Sequence, residues 1–181
     1  MKRAFTLIEV NLAMLIMAGA VLSLVGLYSL GFRENKQSRE DVAATAMADS
    51  VLSPLVMALS SPNVKWSSFK NLGDYPGSKG WSEYTMSSDG SVRSDPASKA
   101  KAAFNSVMTK LSFEGSSDIN TSFPSSATSG TGMSPALVVM HDEGSAVVWL
   151  AFRAVRTDKV GTLLSMPMFF TEVRFQGRSD L

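Results

Sequence analysis

The chain contains no cysteine, so it can form no disulfide, thiolate metal centre, iron–sulfur cluster or cysteine nucleophile. It has a single histidine, His141, which excludes a metal site built from several histidines. Charge is scarce: 18% of residues are charged, against about 25% in an average soluble domain. The 17 Lys and Arg and the 16 Asp and Glu nearly cancel, leaving +1. That balance gives no electrostatic footprint for nucleic acid. No phosphate loop, dinucleotide fingerprint or nucleophile elbow occurs. A Ser-His-Asp arrangement would have to run through His141, which sits beside Asp142 in a predicted turn. The sequence therefore reads as a protein that is not an enzyme and has no cofactor. Its 181 residues allow one domain with one core.

What the chain does have is a long uncharged run at its start. Lys2 and Arg3 precede it, and from Val10 to Phe32 there is no charge. As a helix that stretch spans roughly 35 Å, enough to cross a hydrocarbon core of about 30 Å. Leu, Met, Ala and Val dominate it, with Asn11, Ser23, Tyr28 and Ser29 as the polar exceptions. Lys2 and Arg3 favour a cytoplasmic N-terminus, which places the remainder on the far side of the membrane. A secretory signal also begins with basic residues and an apolar run, and Ala18-Gly19-Ala20 would supply a cleavage site. Yet the apolar run continues past that site to Phe32, and Glu9 stands inside it. A carboxylate in hydrocarbon is costly, and its partner has to be accounted for. No basic residue follows until Arg33, so a positive charge from another molecule is the best candidate.

The run Lys2-Arg3-Ala4, then Phe5-Thr6-Leu7-Ile8-Glu9, resembles the processing signal of type IV prepilins and type II secretion pseudopilins. In that family a prepilin peptidase of the inner membrane removes a short basic leader and methylates the new amine. The resemblance implies a scissile bond between Ala4 and Phe5, with Phe5 as the mature N-terminus. It also implies that Glu9 of one subunit meets the N-terminal amine of a neighbour in a filament. Assembly would then neutralise a charge that is otherwise unpaired. The likeness covers roughly the first 30 residues. Ala4 stands where the family usually has Gly, and the apolar helix carries Gly19, Gly26 and Gly31 but no Pro. The texture after Glu9-Val10 leans toward the minor subunits.

The segment from Arg33 to Asp41 is charged and free of Pro, so the helix is expected to continue through it. Met47, Val51, Leu55 and Leu59 then recur at helical spacing, with Ala44, Ala48 and Leu52 beside them. This stripe suits core packing within the subunit, or packing on a partner. Pro54 either kinks one long helix or opens a second one capped by Ser53. Ser61-Pro62-Asn63 ends the helical region. Trp66, Phe69, Tyr75, Trp81 and Tyr84 follow, read as cover for the edge of a small core. A short strand is expected near Glu83 to Ser87, before the turn Ser88-Asp89-Gly90. Asp95-Pro96 starts a helix that ends near Glu114-Gly115. The Ser/Thr/Gly run from Ser116 to Met133 reads as an exposed loop, and its Asp118 and Asn120 are too few to argue for calcium. Three strands close the chain: 136–140, the turn His141-Asp142-Glu143-Gly144, 146–155, a turn at Thr157-Asp158-Lys159 and Gly161, and 166–175.

The fold expected is α+β and pilin-like: a long N-terminal helix, membrane-spanning then amphipathic, packed on a small antiparallel sheet. The expected organisation is a leader at 1–4, an assembly helix at 5–32, its amphipathic extension at 33–60, and a globular domain at 61–181 with a flexible loop at 115–134. The resemblance implies a structural subunit, of the minor type, of a pilus or secretion pseudopilus. Its partners would be the prepilin peptidase, other pilin or pseudopilin subunits, and inner-membrane lipid. It would cross the inner membrane once, with its C-terminal domain periplasmic or extracellular. Two other readings stay open. One is a minor pilin that binds DNA or cargo through Arg153, Arg156, Lys159, Arg174 and Arg178. The other is a membrane-anchored periplasmic protein unrelated to filaments.

Overall fold

A computed structural model of the protein describes residues 6–77, 80–84, 96–111, 122–125, 132–156 and 166–177. Helix α1 runs from Leu7 to Leu59, 53 residues without a break. The chain divides into two compact units, Met1–Val42 and Ala43–Leu181, and α1 contributes to both. In the first unit the helix carries apolar side chains on every face and no buried residue. Good helix formers and the absence of Pro account for its continuity there.

In the second unit the periodicity becomes one-sided. Ala44, Met47, Ala48, Val51, Leu55, Ala58 and Leu59 are buried, at the three- and four-residue spacing of a single face. The stripe packs within the chain itself, in the main core with Leu137, Val139, Val148, Leu150, Phe152 and Val173 of the sheet. Pro54 neither ends the helix nor opens another. A mid-helix proline costs about 3 kcal/mol. Its neighbours Val51, Leu55, Ala58 and Leu59 are wholly buried, and burying a Val or Leu side chain contributes about 1.5–3 kcal/mol each. Core packing therefore outweighs the missing hydrogen bond.

Strands β1 (Met133–His141), β2 (Val147–Arg156) and β3 (Phe169–Arg174) form an antiparallel meander with β2 in the centre. Leu137 lies opposite Phe152, and Val139 opposite Leu150, on the face that meets the main core. Helix α3 (Pro96–Leu111) packs against β1, placing Ala100, Phe104, Val107 and Leu111 in that core. The opposite face of the sheet carries Ala136, Val138, Ala151 and Val155, covered by Tyr84 and half-buried Trp81. The chain is thus an α+β protein with a long N-terminal apolar helix and a small antiparallel sheet, compatible with a pilin-like fold.

Several local expectations are corrected. β1 starts at Met133, so the end of the expected loop at 115–134 is strand, and it runs through Pro135. The N–H groups of Leu137, Val139 and His141 all point to the open edge, where they bond to the Tyr84 hydroxyl, the Tyr75 carbonyl and the Asp74 carboxylate. Pro135 shares their parity, so its missing N–H falls on that edge and no ladder bond is lost. Phe123, within the same expected loop, is half-buried against the core, 5.5 Å from the Phe104 ring. Glu83 and Tyr84 lie in a 3-10 turn, Gly80–Tyr84, rather than a strand. Tyr84 there uses its hydroxyl to bond both the N–H and the carbonyl of Leu137. β3 begins at Phe169 instead of 166, because Pro167 can donate no ladder bond. A short helix α2, Trp66–Lys70, was not foreseen. Asp95, the turn 88–90, Asp118, Asn120 and the turn at 157–161 lie outside the described residues.

Candidate functional site

The first candidate is the start of α1. Residues 1–5, with Lys2, Arg3, Ala4 and Phe5, lie outside the described residues. Thr6 stands immediately before the helix, and Glu9 is in its first turn. The Thr6 N–H donates to Glu9 Oε2 at 2.9 Å, and the Thr6 hydroxyl donates to the same oxygen at 3.0 Å. The Glu9 N–H lies 3.4 Å from the Thr6 hydroxyl and 3.0 Å from the Thr6 carbonyl. This is a capping box: the first turn leaves backbone N–H groups without helical partners, and a Thr and a Glu three residues apart satisfy them reciprocally.

The box changes the account of Glu9. Its carboxylate is held locally, over the N-terminal end of the helix, by two donors on one oxygen. Among the described residues no group bonds to Oε1, so the carboxylate can still accept a cation. The spacing Thr6-x-x-Glu9 is a recognised helix-start signal, and reading the carboxylate as unpartnered overlooked it. Val10, Ala13, Met14 and Met17 line an apolar hollow beside Glu9.

Beyond Glu9 the helix is apolar and exposed. Its most hydrophobic 18-residue window has a mean hydropathy of 2.2 and no buried residue. Leu15, Met17 and Leu22 are each more than 70% exposed. A helix apolar all round and left exposed by the described residues is suited to lipid or to other helices. It is long and apolar enough to cross a membrane. Tyr28 and Phe32 stack edge to face at 4.4 Å near the end of the apolar run, where aromatic residues favour a membrane–water interface. Ser23 returns its hydroxyl to the Gly19 carbonyl at 2.9 Å, so that its polar hydrogen is satisfied within the helix.

The other candidate residues do not converge. Arg153 is buried, its guanidinium 4.7 Å above the Trp81 ring, with a contact to the Met168 sulfur. Arg174 is exposed and paired with Glu172 at 3.1 Å. Both lie on the same sheet face, but Arg174 is opposite Val147, about 20 Å along β2 from Arg153. Arg156 is half-buried, and Lys159 and Arg178 lie outside the described residues. The described residues therefore gather no basic patch. His141 is not in the turn but closes β1, buried, with Nε2 donating to the Ser145 carbonyl at 2.9 Å and its ring edge-on to Phe69. It braces the hairpin beside an exposed Asp142. Compared with known protein families, curated proteins and solved structures, the chain matches none.

Proposed function

We propose that the protein is a prepilin-like structural subunit, of the minor type, of a type IV pilus or type II secretion pseudopilus. A prepilin peptidase cuts between Ala4 and Phe5, and the helix then carries the subunit from the inner membrane into a filament. The observation that supports this most is a carboxylate fixed at the head of an exposed, uncharged and predominantly apolar helical run. The capping box adds a mechanical element to the family's logic. Thr6 holds the Glu9 carboxylate over the helix end, with Oε1 open to a neighbour's N-terminal amine. Pre-orientation lowers the entropy lost when that ion pair forms.

Two substitutions separate the charge from the cap. Glu9→Gln keeps a side chain that can close the capping box but removes the charge. Glu9→Ala removes both. The expected result is that both variants insert in the membrane and are cleaved, while neither enters filaments. Full incorporation of Glu9→Gln alongside failure of Glu9→Ala would reduce Glu9 to a helix cap, whereas indifference of function to Glu9→Ala would favour a membrane anchor unrelated to filaments. Mass spectrometry of the membrane protein should show an N-methylated Phe5 as the first residue. A start at Met1 or Val21 would defeat the processing step.

A further inference from the structure

Between the apolar run and the packed half of α1 lies the charged stretch Arg33–Asp41, and its charges are sorted by face. With about 100° of turn per residue, Arg33, Lys36 and Arg39 fall within a sector of about 120°. Glu34 and Asp41 lie within about 20° of each other, roughly 150° around the helix from the centre of the basic sector. Glu40 sits inside the basic sector, where it pairs with Lys36 at 4.0 Å. Arg33, Glu34 and Arg39 are exposed and make no ion pair among the described residues. Asp41 is exposed as well, and a carboxylate accepts several donors at once.

The axial spacing on the two faces matches. Arg33 and Arg39 are separated by roughly 9 Å along the axis, and Glu34 and Asp41 by roughly 10.5 Å. Identical apolar runs hold two copies of this chain at the same depth in a bilayer. Side by side and parallel, one copy's Arg33 then stands level with the other's Glu34, and its Arg39 with the other's Asp41. We propose that this belt is a self-complementary contact that aligns parallel copies of the chain just outside the hydrocarbon layer. It rests on the membrane-inserted part of the reading above and does not require filaments.

The geometry also decides the kind of assembly. A two-fold dimer uses the same patch on both partners. Here the two patches lie on nearly opposite sides, so each copy keeps one patch open for the next. Such a heterologous contact continues into an open array. A slide of about one helical turn carries one copy's Glu9 toward another's N-terminus; it also brings the first copy's Arg39 to within about 2 Å, along the axis, of the second's Glu34. The belt thus keeps a pair through the step that the Glu9–amine contact would require.

The absence of native cysteine makes the test direct. Full-length copies carrying Lys36→Cys on the basic side are mixed in membranes with copies carrying Ser38→Cys near the acidic side. Cross-links between the two kinds should exceed those within either kind by about tenfold at low salt, and the excess should shrink as salt is added. Reversing one face, by Arg33→Glu with Arg39→Glu or by Glu34→Lys with Asp41→Lys, should abolish the excess. Combining the two chains with opposite faces reversed, or making all four changes in one chain, should restore it. The fourfold swap preserves net charge, so an insertion defect would not mimic this pattern. Equal links within and between kinds, or links indifferent to the reversals, would overturn the belt contact. An uncleaved Met1 start would overturn the filament reading while leaving this result standing.

Discussion

The two stretches of α1 use similar amino acids in opposite circumstances. Leu15 is 71% exposed in the first, and Leu55 is wholly buried in the second. Both stretches are helical, because Leu, Met and Ala favour helix in either setting. What differs is the arrangement of apolar residues around the axis. In the second stretch they form one stripe, and the sheet and α3 cover it. In the first they occupy every face, and none of them is buried among the described residues. The comparison teaches that local propensity makes this helix, while the distribution of apolar residues decides whether its own chain or an outside medium receives it.

The largest effect should come from substitutions that act on one stretch and spare the other. Leu55→Ala removes a wholly buried side chain and is expected to lower folding stability by about 2–5 kcal/mol. Leu22→Arg should leave folding within about 0.5 kcal/mol but oppose membrane insertion by about 2.5–3.5 kcal/mol. Trp66, Trp81 and Trp149 all lie in the second unit, so tryptophan fluorescence during denaturant unfolding reports that unit alone. Membrane fractionation reports the first. A Leu22→Arg chain that unfolded early would break the contrast between the two stretches.

An intermediate effect is expected at the open edge of β1, where the second unit satisfies its polar groups through distant side chains. The first unit needs no such help, since its helix bonds its own backbone. Tyr84→Phe removes one hydroxyl and leaves the outward N–H and carbonyl of Leu137 without their buried partner. The expected loss is about 1–3 kcal/mol, read as a lower unfolding midpoint with an unchanged denaturant slope. No change in midpoint would mean that the edge is satisfied in another way.

The contrast also explains what could be read in the sequence. The unbroken helix, the buried stripe from Ala44 to Leu59, the helix after Asp95 and the three strands all carry a repeating apolar pattern, and repeats survive inspection residue by residue. Tyr84 carries none: its role is set by Leu137, far along the chain, and a tyrosine in a Ser- and Gly-rich segment gives no sign of it. The start of β1 at Met133 was hidden for a related reason, because the tolerance of Pro135 within it depends on which side of β1 has no neighbouring strand. Helix α2 is too short to show a period. The capping box was different. Thr6 and Glu9 are three residues apart at the head of an apolar run, and that spacing alone would have given Glu9 its local partner.

The smallest effect is expected at the ion pair between Lys36 and Glu40, in the charged stretch of the first unit. At 4.0 Å, with the lysine side chain 69% exposed, the attraction is screened by water and opposed by the entropy of two long side chains. Lys36→Gln should therefore change the unfolding midpoint by no more than about 0.5 kcal/mol's worth of stability. With the basic-side cysteine moved from position 36 to Phe32, about one turn earlier within the same sector, the same change should also leave cross-linking between copies nearly intact, since Arg33 and Arg39 carry the proposed contact and Lys36 is already matched by Glu40. A strong loss of cross-linking from Lys36→Gln would instead place Lys36 in the contact and shift the register between copies. The charges of this stretch are thus expected to matter little for how one chain folds, and chiefly for how one chain meets another.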